Sequence, residues 1–203
     1  PAPRPPELPD NPFTLGVASG DPLPDGFVLW TRLAPEPLTD GGMPDTEVAV
    51  TWELARDEAF EDIVASGWLE ATPELGHSVH VDLRGLPPDT WFFYRFRVEE
   101  QWISPTGRTR TFPAPDASPE SFRIVSASCQ NYPAGYYTAH HHISQEEIDA
   151  VAFLGDYIYE GGGRGPVRSH NSGRIRSLED FRRRYALYKS DPNLQAAHQR
   201  APW

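Results

Sequence analysis

The sequence predicts two unlike parts, an all-β immunoglobulin-like or fibronectin-like sandwich and after it the start of an α/β domain. Between residues 13 and 112, about seven short segments alternate apolar and polar side chains between turn residues, as sandwich strands do. A Pro-rich stretch at residues 113–121 then has the composition of a linker. Beyond it, two apolar runs are separated by about the two dozen residues that a helical crossover between parallel strands needs.

These changes of composition divide the chain into four predicted regions. Residues 1–12 form a Pro-rich extension, residues 13–112 the sandwich, residues 113–121 the linker and residues 122–203 the N-terminal part of the α/β domain. The last region offers two strands and up to three helices, which is too little to close a sheet and bury its faces. We therefore expect the sequence to be an N-terminal fragment, with its α/β domain completed by further chain or by another polypeptide.

Within the sandwich region, each strand is predicted from its alternation and its flanking turns. The first strand is expected at residues 13–17, before a turn at residues 19–22, and the last at residues 108–112. The clearest inward-facing sets are Val48, Val50, Trp52 and Leu54, then Val79, Val81 and Leu83, then Phe92, Tyr94, Phe96 and Val98. Their period of two indicates strands with one face in the core.

In the α/β region, residues 122–127 and 151–154 are the predicted strands. The second is apolar throughout, which is typical of a strand buried on both faces in a parallel sheet. Helices are expected within residues 135–149, after Ser177, and at residues 193–200. Ser177 with Asp180 three residues on is a variant of the capping box.

Both strands end in polar side chains. Cys129 follows the first strand, and Asp156 and Tyr159 follow the second after a turn at Gly155. The ends of neighbouring parallel strands lie about 5 Å apart, at the edge where open α/β sheets place their ligands. The three side chains should therefore converge on one point and could hold one metal ion. For Cys129, the only cysteine, a metal-ligand or intermolecular role stands beside that of a small buried hydrophobic residue.

The charge of the chain is strongly uneven. Residues 1–163 carry nine basic and 26 acidic side chains, whereas residues 164–203 carry nine basic and three acidic ones. The basic end indicates either an anionic partner or an exposed helix face. The overall net charge of −11 argues against a nucleic-acid-binding role, and no apolar stretch is long enough to span a membrane. The three consecutive histidines at 140–142 point in different directions on a helix and cannot share one ion.

Four stretches resemble the PhoD family of alkaline phosphatases and phosphodiesterases. They are TLGVASGDP at residues 14–22, ASCQ at 127–130, FLGDYIYE at 153–160 and RSHNS at 168–172. The family is similar to the calcineurin-like metallophosphoesterases and purple acid phosphatases in its catalytic core, and its members carry an N-terminal sandwich. The resemblance thus implies that residues 122–203 begin a metallophosphoesterase domain, a β-sandwich flanked by helices.

The resemblance also implies a site and an activity. Cys129 would be the thiolate ligand and Tyr159 the phenolate ligand of Fe³⁺, and Asp156 the carboxylate that bridges Fe³⁺ and Ca²⁺. Arg168 and His170 would contact the phosphate of the substrate, and the catalytic residues are expected beyond Trp203. The implied enzyme is a secreted or cell-wall phosphoesterase that hydrolyses phosphate mono- or diesters with a metal-activated hydroxide. The present fragment would be inactive without the remainder of the catalytic domain.

Two other functions fit the same sequence. A non-catalytic module could use the sandwich to bind wall polymer or protein, with residues 122–203 as scaffold. A purple-acid-type phosphatase could use a different metal pair at the same ligands, which elemental analysis would distinguish.

Overall fold

The computed structural model describes residues 8–203, where strands and helices form two packed units. The first seven residues of the predicted Pro-rich extension lie outside this range. The strands are β1 (Val17–Leu23), β2 (Gly26–Arg32), β3 (Val48–Ala55), β4 (Ile63–Ala71), β5 (Ser78–Leu83), β6 (Trp91–Val98), β7 (Trp102–Ile103), β8 (Gly107–Arg110), β9 (Ile124–Ala127) and β10 (Ala150–Phe153). The helices are α1 (Thr138–Gln145), α2 (Leu178–Lys189) and α3 (Pro192–Arg200).

The first unit is a sandwich of two antiparallel sheets, which confirms the predicted β-sandwich. One sheet has the strand order β1-β2-β5, and the other has the order β4-β3-β6, with β7 and β8 both pairing with β6. The alternating positions point inward: Phe92, Tyr94, Phe96 and Val98 of β6 are all buried in one core. Each sheet thereby buries its apolar face against the other, which is the main stabilising term of such a fold.

The start of the sandwich differs from the prediction. The first strand runs from Val17 to Leu23, so the turn expected at residues 19–22 lies inside it. The pairing of β1 with β2 shifts between Gly20 and Leu23, and Asp21 has a φ of 49°. A β-bulge therefore absorbs the Gly-Asp-Pro sequence that had indicated a turn, because a bulge tolerates an unpaired residue in a strand.

The second unit contains two parallel strands and three helices. Strands β9 and β10 pair in parallel from Ala150↔Ile124 to Phe153↔Ala127, and the connection between them contains α1. Helix α2 begins with the predicted capping box, because the Ser177 side chain accepts from the Asp180 N–H and the Asp180 carboxylate accepts from the Ser177 N–H. Asp191 caps α3 without such a reciprocal bond, because only its carboxylate accepts from N–H groups of the first turn.

The prediction that the second strand is buried on both faces is wrong for this chain. Val151 is buried, but Ala152 and Phe153 are only partly buried, Leu154 is 74% exposed and Ile124 on the neighbouring strand is 57% exposed. Ile143, Ile148, Ala197 and Trp203 pack near one side of the pair. Among the described residues, three helices cover only part of the surface of these two strands. The apolar run alone could not show that the rest of the strand surface is exposed.

The two units are joined by specific contacts. Helix α3 packs against β1 and β8, and the Trp203 N–H donates to the Ser19 carbonyl at 3.0 Å. The buried Arg110 guanidinium of β8 forms ion pairs with Asp89 and Asp149, which lie in different units. Across residues 8–203, none of the helices combines the length and the apolar character that crossing a membrane requires.

A buried lysine lies at this junction. Lys189 of α2 is 5% exposed, and among the described residues its Nζ has no hydrogen-bond partner. The ammonium nitrogen lies 4.9 Å from the centre of the Trp30 ring of β2. Burial lowers the pKa of Lys189 from 10.5 to about 7, because the charged form loses its hydration.

We expect the stability of the protein to rise with pH because of Lys189. Between pH 7 and 10.5 the unfolded chain binds a proton at this position that the folded chain does not, so the free energy of unfolding rises by about 1.4 kcal/mol per pH unit. Below pH 7 both the folded and the unfolded chain bind this proton, so Lys189 no longer makes the stability depend on pH. Denaturant unfolding at pH 7 and pH 9.5 should show the rise in the wild type and a smaller one in Lys189→Met. An equal rise in both would contradict the assignment. His198, whose pKa is also lowered by burial, titrates below this window.

Candidate metal centre

The ends of the two parallel strands are held together by backbone hydrogen bonds beyond the strands themselves. The Leu154 N–H donates to the Ala127 carbonyl at 2.8 Å, and the Cys129 N–H donates to the Gly155 carbonyl at 3.0 Å. The Gln130 N–H then donates to the Asp156 carbonyl at 3.2 Å. The loops that carry Cys129 and Asp156 are therefore fixed to each other along their backbones, which sets the separation of the two side chains.

Both residues have a backbone conformation that is unusual for a residue with a side chain. Cys129 has a φ of 56° and Asp156 a φ of 51°, both in the left-handed region. Gly155, between strand and carboxylate, has a φ of 137°. An L-residue at positive φ costs on the order of 1–3 kcal/mol, and such strain concentrates at functional sites. Here the two turns direct the thiol and the carboxylate to the same point.

The structure brings together the three side chains that the sequence singled out. The Cys129 Sγ donates to Asp156 Oδ2 at 3.3 Å, and the Tyr159 hydroxyl donates to the same oxygen at 3.2 Å. Cys129 and Asp156 are exposed, so Cys129 is not the buried hydrophobic residue of the alternative interpretation. A thiol, a carboxylate and a phenol thus meet at one exposed position, and their role as metal ligands stays a prediction.

The electrostatics of this cluster favour a cation. The pKa of Tyr159 is raised to about 12, first by desolvation and then by its hydrogen bonds and charge interactions with Cys129 and Asp156. Three groups that become anionic repel one another at such short distances, and a metal ion reverses that effect by deprotonating its ligands. Thiolate and phenolate suit a transition metal, and carboxylate oxygen also suits Ca²⁺. The donor set therefore fits the Fe³⁺ and Ca²⁺ that the resemblance implies.

The cluster is small. Within residues 8–203, no three side chains drawn from His, Cys, Asp and Glu gather in a metal-binding arrangement, so no further side chain of these four types joins Cys129, Asp156 and Tyr159. The three histidines at 140–142 do not complete it: His140 is buried, with its Nε2 2.9 Å from Gln130 Oε1, and the other two are exposed. His140 instead supports the loop after Cys129, because Gln130 also donates to the Tyr157 carbonyl at 2.8 Å.

Arg184 holds the loop that carries Tyr159. This arginine is 2% exposed, and its guanidinium donates to the carbonyls of Tyr159, Gly161 and Gly173 and to the Ser172 hydroxyl. The interpretation of the basic end as an exposed helix face is therefore wrong at Arg184. Its position four residues before the buried Tyr188, on the same helix face, was the sequence signal that could have revealed this.

The two predicted substrate contacts are engaged within the fold. Arg168 forms an ion pair with the buried Asp191 at 2.5 Å, and its guanidinium lies 3.7 Å from the centre of the Tyr132 ring. His170 is buried, with its Nε2 3.0 Å from the Tyr188 hydroxyl, and burial lowers its pKa. These contacts support the loop at residues 161–176, and a role for Arg168 and His170 in substrate binding stays a prediction.

Together, the fold and the cluster define a class of protein: a β-sandwich followed by an α/β unit that carries a candidate transition-metal centre at its strand ends. Comparison with known proteins gives the family. Residues 1–113 match the model of the PhoD-like phosphatase N-terminal domain, and residues 124–203 match that of the PhoD-like phosphatase. The chain belongs to the PhoD-like phosphatase family.

Similar proteins agree with this assignment. Alkaline phosphatase D of Bacillus subtilis (strain 168) is 52% identical over 204 residues, which cover 98% of this chain and 35% of the relative. A solved structure of PhoD is similar with a TM-score of 0.95 and 52% identity, over 98% of this chain and 39% of that one. The chain thus spans little more than a third of the length of these relatives.

Proposed function

We propose that the chain supplies part of the metal centre of a phosphoric ester hydrolase that uses Fe³⁺ and Ca²⁺. The observation that carries the proposal is the meeting of the Cys129, Asp156 and Tyr159 side chains at one point. Cys129 and Tyr159 would hold iron, and Asp156 would bridge iron and calcium. In this proposal, residues 122–203 are the N-terminal part of a metallophosphoesterase domain.

The bound cations would neutralise the charged oxygens of a phosphate ester and lower the pKa of water at the site. The residues of this chain would position the three metal ligands. The bulge-free pairing of β9 with β10 and the backbone bonds between residues 129–130 and 155–156 fix the two strand ends. Arg184 fixes the backbone at Tyr159. A rigid first set of ligands reduces the reorganisation that would otherwise oppose the reaction.

The proposed substrates are phosphate mono- or diesters, and the proposed location is outside the cytoplasm or in the cell wall. The similarity to alkaline phosphatase D of B. subtilis supports phosphatase chemistry. A thiolate bound to iron would not be free to exchange with disulfides, which makes the single thiol compatible with an oxidising location.

Turnover of p-nitrophenyl phosphate with added Fe³⁺ and Ca²⁺ tests the function. We expect the longest natural form of the protein to hydrolyse the ester and to lose this activity on chelation. The 203-residue chain alone should show no turnover above background, because it presents one three-residue cluster rather than a full two-metal set. Ordinary turnover by the 203-residue chain would contradict the second expectation, and a metal-replete long form without any activity would contradict the first.

A further inference from the structure

A cavity separates the sandwich from α2 and α3, and Tyr157, the residue after Asp156, is part of its lining. Its volume is about 430 Å³, within the range of small-molecule sites. Its apolar walls come from both units and include Leu15, Trp30, Leu178, Phe181, Tyr185 and Ala186. Three of these are unusually exposed for their size: Leu178 is 64% exposed, Phe181 41% and Tyr185 45%. The cavity is therefore open to solvent and has aromatic side chains at its rim.

The charged side chains around the cavity are of one sign. They are Arg32, Arg182 and Lys189, and among the described residues no aspartate or glutamate lines the cavity. His198 also lines it, but burial lowers its pKa and keeps the ring neutral at neutral pH. Arg32 donates to the carbonyls of Gly76 and Arg182, and Arg182 is paired with Glu179, so these two have partners. The cationic lining of an otherwise apolar cavity favours an anion with an apolar body.

Lys189 is the group that such an anion would satisfy. Its Nζ is buried without a hydrogen-bond partner among the described residues, next to the Trp30 ring. An unpaired buried polar group destabilises the fold, and an ammonium group does so more strongly. His198, which also lines the cavity, has its Nε2 2.9 Å from the Tyr157 hydroxyl, while its Nδ1 has no partner in the described part of the chain. The flexible stem of a lysine lets its ammonium group turn toward a ligand.

We propose that this cavity binds an aryl-alkyl carboxylate, with the acid group on Lys189 and the apolar body against Trp30, Phe181 and Tyr185. A carboxylate there would pair the ammonium group in a desolvated place, where a charge-assisted hydrogen bond is strong. The aromatic rings would contribute by contact area and by ring stacking. None of Cys129, Asp156 and Tyr159 lines this cavity, so the binding proposed here does not rest on the phosphoesterase proposal.

The groups that face Lys189 set its response to a ligand. The titratable groups that line the cavity with Lys189 are His198 on α3, Arg32 on β2, Arg182 and Tyr185 on α2, and Tyr157 in the loop after β10. None of them is a carboxylic acid. The ligand would therefore bring the first negative charge to the ammonium group, and it would be accompanied by uptake of a proton above neutral pH.

Calorimetry on the longest natural form of the protein tests the proposal with 4-phenylbutyrate and the neutral 4-phenylbutanol. The acid should bind at least 10-fold more tightly than the alcohol, with proton uptake at pH 8 seen as a difference between buffers. In Lys189→Met, which keeps the apolar stem, the two affinities should agree within threefold. In Phe181→Ala, both ligands should weaken while the preference for the acid remains.

Three results would overturn the proposal. They are equal affinities for acid and alcohol in the wild type, a preference for the acid that survives in Lys189→Met, and no binding of either ligand.

Discussion

Replacing Cys129 by alanine is expected to remove iron from the longest natural form of the protein and to lower kcat/KM for a phosphate ester by more than about 100-fold. Loss of a supporting group around a metal typically costs about 10–100-fold in affinity or activity, and loss of a ligand should exceed that. Iron content and p-nitrophenyl phosphate turnover measure the two effects. A non-catalytic binding module would show neither, so the same variant separates the two classes of function.

A second variant at this position separates chemistry from folding. Cys129 has a φ of 56°, a conformation that glycine adopts without strain. Cys129→Gly should therefore lose iron as Cys129→Ala does, yet unfold at a higher denaturant concentration than Cys129→Ala. Ser126→Ala, at an exposed position on β9, the strand that precedes Cys129, should leave iron content and activity unchanged. Full activity in either Cys129 variant would exclude the thiol as a metal ligand.

Arg184→Met is expected to destabilise the protein by about 3 kcal/mol and to weaken iron binding by about 10–100-fold. The substitution keeps most of the buried volume but leaves three carbonyls and one hydroxyl without their charged donor. Because the Tyr159 carbonyl is one of these acceptors, the loop that presents the phenol loses its anchor. Denaturant unfolding and an iron titration measure the two effects.

The neighbouring arginine is the matched control. Arg183 lies on the same helix, is exposed and pairs with Asp180 at 3.0 Å. Such a surface ion pair contributes about 0.2–1 kcal/mol, so Arg183→Met should change stability little and iron binding not at all. Equal effects of the two substitutions on stability and on iron binding would mean that Arg184 acts through its positive charge and not through its hydrogen bonds to the loop.

Local patterns predicted the parts of the structure that local interactions determine. The alternation in β6 predicted its buried face, and Ser177 with Asp180 predicted the start of α2, because both depend on residues a few positions apart. The meeting of Cys129 with Asp156 could also be predicted, since it needs only that two strands are parallel neighbours.

Other features depend on contacts between distant segments and were missed for that reason. The β1 bulge arises from pairing with β2, which overrides the turn preference of the Gly-Asp-Pro sequence. Arg184 is buried because a loop more than ten residues away supplies its acceptors. Lys189 is buried because the sandwich packs onto α2 at Trp30. In each case the residue type indicated exposure or a turn, and tertiary contacts decided otherwise.

The central claim is that the sulfur of Cys129 and the oxygens of Asp156 and Tyr159 bind one ferric ion. X-ray absorption at the iron edge of the longest natural form tests it most directly. We expect one sulfur atom beside the oxygen neighbours of iron in the wild type. In Cys129→Gly, any molecules that still bind iron should lack this sulfur neighbour. An iron shell of oxygen and nitrogen alone in the wild type, or a sulfur neighbour that persists without Cys129, would contradict this account.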